Sequence, residues 1–164
     1  MEVRRARPAD LPAIDRVAEA SCVEALAGVV PPEATVEARR RLCSRAELRE
    51  GILAGRLLVG ELPDGRLVAF ALVAEGAEVV ELRTAVAPRH PSWDLTATPF
   101  VAAVRRRGWC GPITAEALLG DVVQESFLEG AGFVPGEVWD DEIAGHPVVR
   151  RRWWLPAAAR ARSE

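Results

Sequence analysis

The sequence contains no lysine, no asparagine and no tyrosine. All 21 basic residues are arginine, a skew that fits a GC-rich genome better than a binding role. Without tyrosine, no mechanism can use a phenol as its acid or base. Histidine and cysteine are equally scarce. Cys22, Cys43 and Cys110 are odd in number and widely spaced, forming neither a CxxC pair nor a disulfide framework. With His90 and His146 the only histidines, no zinc or other metal site is expected. The thiols read as reduced and mostly buried, as in a cytoplasmic protein. The opening residues do not read as a signal peptide, and no apolar run reaches transmembrane length. A net charge of −3 gives no reason to expect a nucleic-acid partner.

What is there suits one globular domain. At 164 residues the chain can bury one sizeable core. "EVRRA" is strand-compatible, and Asp10 reads as the N-cap of a helix with Leu11, Ile14, Val17 and Ala18 at helical spacing. "GVVPPEAT" breaks the chain before a basic helix, and "SRAE" is a capping box that predicts a further helical turn. From Arg56 the period changes. "RLLVGEL" and "RLVAFALVAE" flank the turn signal "PDG", and "AEVVELRTAV" follows as a third strand. A helix from Pro99, a strand "ITAEALL", a short helix from Asp121 and a hairpin turning near Ala144–Gly145 complete the order β-α-α-β-β-β-α-β-α-β-β. One mixed α/β sheet covered by helices is the expected architecture, over residues 1–156, with a frayed tail over 157–164.

The junction "VAPRHPSWDLTATPF", Val86 to Phe100, is where such a sheet would hold a ligand. A helix N-terminus there offers free N–H groups to an anion, yet the loop carries no glycine to let one approach closely.

"VRRARPADLPAIDRVAEAS", the element order, "AVAP" at 85–88 and "DVVQESFLEGAGF" together resemble the GNAT superfamily of acyl-CoA-dependent N-acetyltransferases over Glu2 to Trp154. The resemblance implies a mixed, mostly antiparallel sheet and acetyl-CoA as cofactor. It implies that backbone groups of Ala85, Val86 and Ala87, on a splayed fourth strand, hold the pantetheine arm. The family's pyrophosphate loop reads Arg/Gln-x-x-Gly-x-Gly/Ala, and its positions fall here on Pro91, Asp94 and Thr96. Pro91 has no N–H, and Asp94 sets a carboxylate beside a pyrophosphate. Arg89, His90 and the hydroxyls of Thr96 and Thr98 are the groups that could compensate. The late helix often ends in a tyrosine that protonates the departing thiolate; Leu128 stands there instead.

Acetyl transfer needs a neutral amine, hence a base near the fourth strand. Glu81 is the first candidate, with Glu78 on the other face and Glu116 in the fifth strand behind it. Asp140 and Glu142, in "WDDE", are candidates for recognising a cationic amine of a small molecule or a peptide. Trp153 and Trp154 read as core and homodimer contact rather than a base-stacking platform. Two functions stay open: an acyl-CoA-dependent N-acyltransferase, or a domain that keeps the fold, has lost the cofactor site, and serves as a binding or regulatory module or does different chemistry.

Overall fold

Among the described residues, seven strands form one sheet in the order β1-β2-β3-β4-β5-β7-β6. The structure is a computed structural model and describes residues 1–42, 44–88 and 95–158. β1 (Glu2–Arg5), β2 (Leu57–Glu61), β3 (Leu67–Glu75) and β4 (Val80–Val86) pair antiparallel in turn, β2 and β3 as the hairpin that the PDG turn predicts. β5 (Ile113–Leu118) lies parallel to β4, because α4 (Thr98–Arg106) crosses over between them. β6 (Val134–Ile143) and β7 (His146–Leu155) close the sheet as a hairpin, with β7 paired to β5 and β6 at the edge.

Three helices stand between β1 and β2, where two and an added turn were expected. α1 (Leu11–Ala25) and α2 (Pro32–Leu42) are followed by a separate α3 (Arg45–Leu53). The capping box starts this last helix: the Ser44 hydroxyl accepts from the Glu47 N–H at 3.2 Å, and the Glu47 carboxylate accepts from the Ser44 N–H at 3.1 Å. The third meander strand begins at Val80, which leaves Glu78 exposed in the preceding turn rather than on the strand.

β3 alternates between two cores. Phe70 and Leu72 pack with Ile14, Val17 and Leu48 on the α1–α3 face. Ala69, Ala71 and Val73 pack with Phe100 of α4 and with Phe127 and Leu128 of α5 (Val122–Glu129) on the other. A strand buried on both faces reads as a continuous apolar run. A third cluster joins Cys22, Leu26 and Val30 to Ile143 and Val148, tying the end of α1 to the closing hairpin. Among the described residues, no helix is long and apolar enough to cross a membrane.

Candidate active site

β4 and β5 part company. Their ladder runs only from Val80↔Ile113 to Leu82↔Ala115, while β5 continues to Leu118 against β7. Beyond Leu82, β4 has a partner on one side only, β3. Backbone groups alternate along it. The Val80 N–H bonds towards β5 (Pro112 O, 3.2 Å), and the Ala87 N–H bonds towards β3 (Val68 O, 2.8 Å). Even-numbered positions thus point their N–H and C=O groups at β5. Thr84 and Val86 turn theirs into the gap. Of the three residues expected to hold a pantetheine arm, only Val86 has this orientation. Ala85 and Ala87 spend their backbone groups on β3, by the same alternation.

A cavity of about 240 Å³ opens at this divergence, on the α1–α3 side. Arg83, Thr84 and Ala85 of β4 line it, facing Glu116, Ala117 and Leu118 of β5. α1 contributes Cys22, α2 Arg39 and α3 Glu47, while Asp121, Gln124 and Arg150 line it from the α5 and β7 side.

Its charged groups are engaged in ways that fix its electrostatics. Arg83 donates to Glu47 at 3.1 Å. Burial pushes the Glu47 carboxyl up, but hydrogen bonds from the Ser44 hydroxyl and N–H, with Arg83, more than offset it and hold the group below its ordinary value. Asp121 goes the other way. Burial raises its carboxyl above the usual range, against hydrogen bonds from the Gln124 and Val123 N–H groups, and Glu125 and Glu24 add to the rise. Asp121 also caps α5, accepting from the Gln124 N–H at 3.1 Å. Glu116 sits between Arg150 (3.6 Å) and Arg152 (3.3 Å). Cys22 is a buried thiol pushed up to about 11 by desolvation, with Arg39 pulling it partly back.

Glu81 lies outside the cavity. It belongs to the closed part of β4, opposite Thr114 of β5 and Ala74 of β3; the ladder has not yet parted there. Asp140 and Glu142 are exposed on edge strand β6 and do not line the cavity either. Asp141, between them, faces the cavity side and accepts from Arg150 at 2.6 Å. Trp153 is core, whereas Trp154 is exposed. Of the thiols expected to be mostly buried, Cys22 is buried and Cys110, in the loop after α4, is exposed.

The helix start expected to meet an anion has its amides engaged. The Thr98 N–H donates to the Thr96 hydroxyl at 3.3 Å, and that hydroxyl also bonds the hydroxyl of Thr98 at 3.0 Å. Pro99 has no N–H, and the N–H groups of Phe100 and Val101 both bond the Ala97 carbonyl at 3.0 Å. Asp94, with Arg89, His90 and Pro91, lies outside the described residues. Leu128 is fully buried in the core beside Phe127. Asp121 and Gln124 are among the cavity residues that sequence reasoning did not single out. The late-helix motif contained both, and the cap position of Asp121 was the available signal.

Among the described residues the sheet is mixed, and its one parallel pair, β4 and β5, opens into the cavity. The fold is that of the GNAT superfamily. A coenzyme A complex of the PaiA N-acetyltransferase from Thermoplasma acidophilum superposes with a TM-score of 0.68 at 21% identity, over 91% of this chain and 96% of that one. A GNAT-family acetyltransferase from Streptococcus agalactiae gives 0.70 at 19% identity, over 96% of each chain. A GNAT-superfamily phosphinothricin acetyltransferase from Sinorhizobium meliloti, in complex with acetyl-CoA, gives 0.64 at 18%, over 99% of this chain and 91% of that one. No family model matches the sequence, and no curated protein does.

Proposed function

We propose that the protein is an acyl-CoA-dependent N-acyltransferase that moves an acetyl group to a primary amine. The observation that carries this reading is the parted edge of β4. The backbone groups of Thr84 and Val86 turn into a gap that opens on a cavity lined by charged and apolar side chains, an edge to which an amide-bearing arm can add as a strand does. The fold and the coenzyme complexes among its structural likenesses support it. This edge offers backbone groups to an added arm, with the Thr84 carbonyl held by Gln124, and the fit is poor at the helix start, where the amides are engaged.

Bound acyl-CoA supplies an activated acyl group as a thioester. The chain's own part is to hold the arm along Thr84 and Val86 and to keep the acceptor nitrogen unprotonated beside it. Glu81, outside the cavity, is poorly sited for that. Asp121 is the better base, directly or through one water, because its raised proton affinity brings it closer to the working range of a base. Glu116, fixed by two arginines, suits holding the amine. Leu128 cannot act as an acid, so the thiolate leaves unassisted by this position.

A second reading has its own observation. The engaged amides of Thr98, Phe100 and Val101 favour a domain that kept the fold and serves as a binding or regulatory module. Thermal unfolding with acetyl-CoA, and with free coenzyme A as control, separates the two. Ligand at one hundred times its dissociation constant adds about 2.7 kcal/mol, roughly 5–10 °C for a domain of this size. No shift at millimolar ligand would sink the acyltransferase reading.

A further inference from the structure

Among the described residues, the charged side chains that line the cavity are Arg39, Arg83 and Arg150 with Glu47, Glu116 and Asp121. All but one of them already face a counter-ion. Arg39 donates to Asp15 at 2.8 Å, and Arg83 and Glu47 pair at 3.1 Å. Arg150 meets Asp141 at 2.6 Å and Glu116 at 3.6 Å. Asp121 is the exception. Among the described residues no cation pairs with it; its carboxylate accepts from the N–H groups of Gln124 and Val123, and the charges that act on it, Glu125 and Glu24, are themselves acidic.

A ligand entering this cavity therefore meets one uncompensated charge, and it is a carboxylate. An ammonium finds its counter-ion there. An anion does not. Beside any of the three arginines it also lies beside the acid that the arginine already holds, so attraction and repulsion largely cancel. It still gives up its water, and a desolvated ion without a partner is strongly disfavoured. Most of the remaining lining suits an uncharged body: Ala18, Phe70, Leu72, Ala85, Ala117 and Leu118 are apolar. The cavity is also small, its 240 Å³ falling below the roughly 300–1,000 Å³ of sites for drug-sized ligands.

We infer that the acceptor is a small amine whose remainder carries no charge, its nitrogen held at Asp121 and its apolar body against Phe70, Leu72 and the alanines of the cavity. This rests on the acyltransferase reading and narrows its substrate to alkyl- or aralkyl-amines rather than free amino acids. In the transfer, the ammonium gives one proton to Asp121, and the freed amine bonds to the acyl carbon as the carbon–sulfur bond breaks. The electron pair leaves on sulfur, and a second proton passes from nitrogen to water as the amide forms.

The test follows thiol release by the full chain at saturating acetyl-CoA. It compares each amino acid with the amine in which an isopropyl group, similar in size and uncharged, replaces the carboxylate; glycine and isobutylamine are one such pair. The expected result is at least one amine whose kcat/KM exceeds that of its matched amino acid by about tenfold or more. Each amine is more basic than its amino acid, so a larger share of free base does not explain such a preference. Asp15→Asn, outside the cavity, removes the counter-ion of Arg39. It should raise kcat/KM for the amino acid and narrow the ratio several-fold, with the amine unchanged. Equal use of both members of every pair, or preference for the amino acids, overturns this inference and leaves the acyltransferase reading intact. A ratio unmoved in a folded Asp15→Asn protein removes the neutralised arginine as its cause and overturns it as well. With no transfer to any compound, thermal unfolding with the same pairs decides. Stabilisation by the amines alone keeps the amine site and sinks the enzyme; any other pattern sinks both. The matched-pair comparison in the unmodified protein stands even if Asp15→Asn does not fold.

Discussion

Gln124 of α5 donates from Nε2 to both the carbonyl oxygen, at 3.4 Å, and the hydroxyl of Thr84. It is the sole glutamine of the chain and is buried. Its partner is the carbonyl that β4 turns into the gap, so the amide caps the group that an added strand would use.

Gln124→Ala should therefore have two opposed effects. Without ligand, the Thr84 carbonyl loses its donor, and stability falls by about 1–3 kcal/mol, or roughly 2–4 °C for each kcal/mol. With coenzyme A, the edge is free and affinity rises. Thermal unfolding and titration calorimetry read both. A variant that is destabilised yet binds no tighter would show that Gln124 does not compete with the arm.

The base assignment gives a paired prediction. Asp121→Asn keeps a side chain that caps α5 about as well but removes the titrating group. Turnover should fall by about 10²-fold or more with little change in melting temperature. Glu81→Gln, outside the cavity, should leave turnover nearly unchanged. The reverse pattern would return the role to Glu81.

Most of the scaffold is legible in the sequence because local signals agree with the fold. Ser44 and Glu47 are three apart and form the capping box, Asp121 caps α5, and the two-sided apolar run of β3 is buried on both faces. The site is less legible. Which of Ala85, Val86 and Ala87 faces the gap depends on the phase of hydrogen bonding to β3, set by pairing with Val68 far along the chain. Whether Glu81 or Glu116 reaches the cavity depends on where two strands stop pairing, and no local pattern records that. Arg39 and Arg150 meet the same cavity from α2 and β7; as members of arginine runs they look like any solvated face.

Asp10 offers a test of pH dependence. Its carboxyl is lowered chiefly by hydrogen bonding to Arg4, against desolvation, with the Arg7 N–H adding to it. Arg4 also bonds Glu61 at 2.6 Å, which joins β1 to β2. A carboxyl depressed in the folded state stabilises above its unfolded value and loses that contribution as pH falls through the folded one. Asp10→Asn should cost about 1 kcal/mol near neutral pH, the upper range for partly exposed ion pairs. The gap to the unmodified protein should close on acidification below the ordinary carboxylate range. Denaturant melts at several pH values read this. A gap independent of pH would mean that Asp10 acts through shape alone.

The closing hairpin turns on Ala144 at φ 52° and Gly145 at φ 80°, the pair of positive φ values that a two-residue type I′ turn requires. Glycine adopts this at no steric cost, but an alanine in the left-handed region costs roughly 1–2 kcal/mol. Asparagine before glycine is the favoured pairing for this turn. Ala144→Asn should raise stability by about 1 kcal/mol, part of the relief being offset by the contacts that Ala144 makes with Ile143, Val148 and the end of α1. The melting temperature should rise by roughly 2–4 °C. β7 carries Arg150 to the cavity wall, and a firmer turn that leaves this strand in place should leave transfer kinetics unchanged. A loss of activity with a gain in stability would instead mean that this hairpin has to move during turnover.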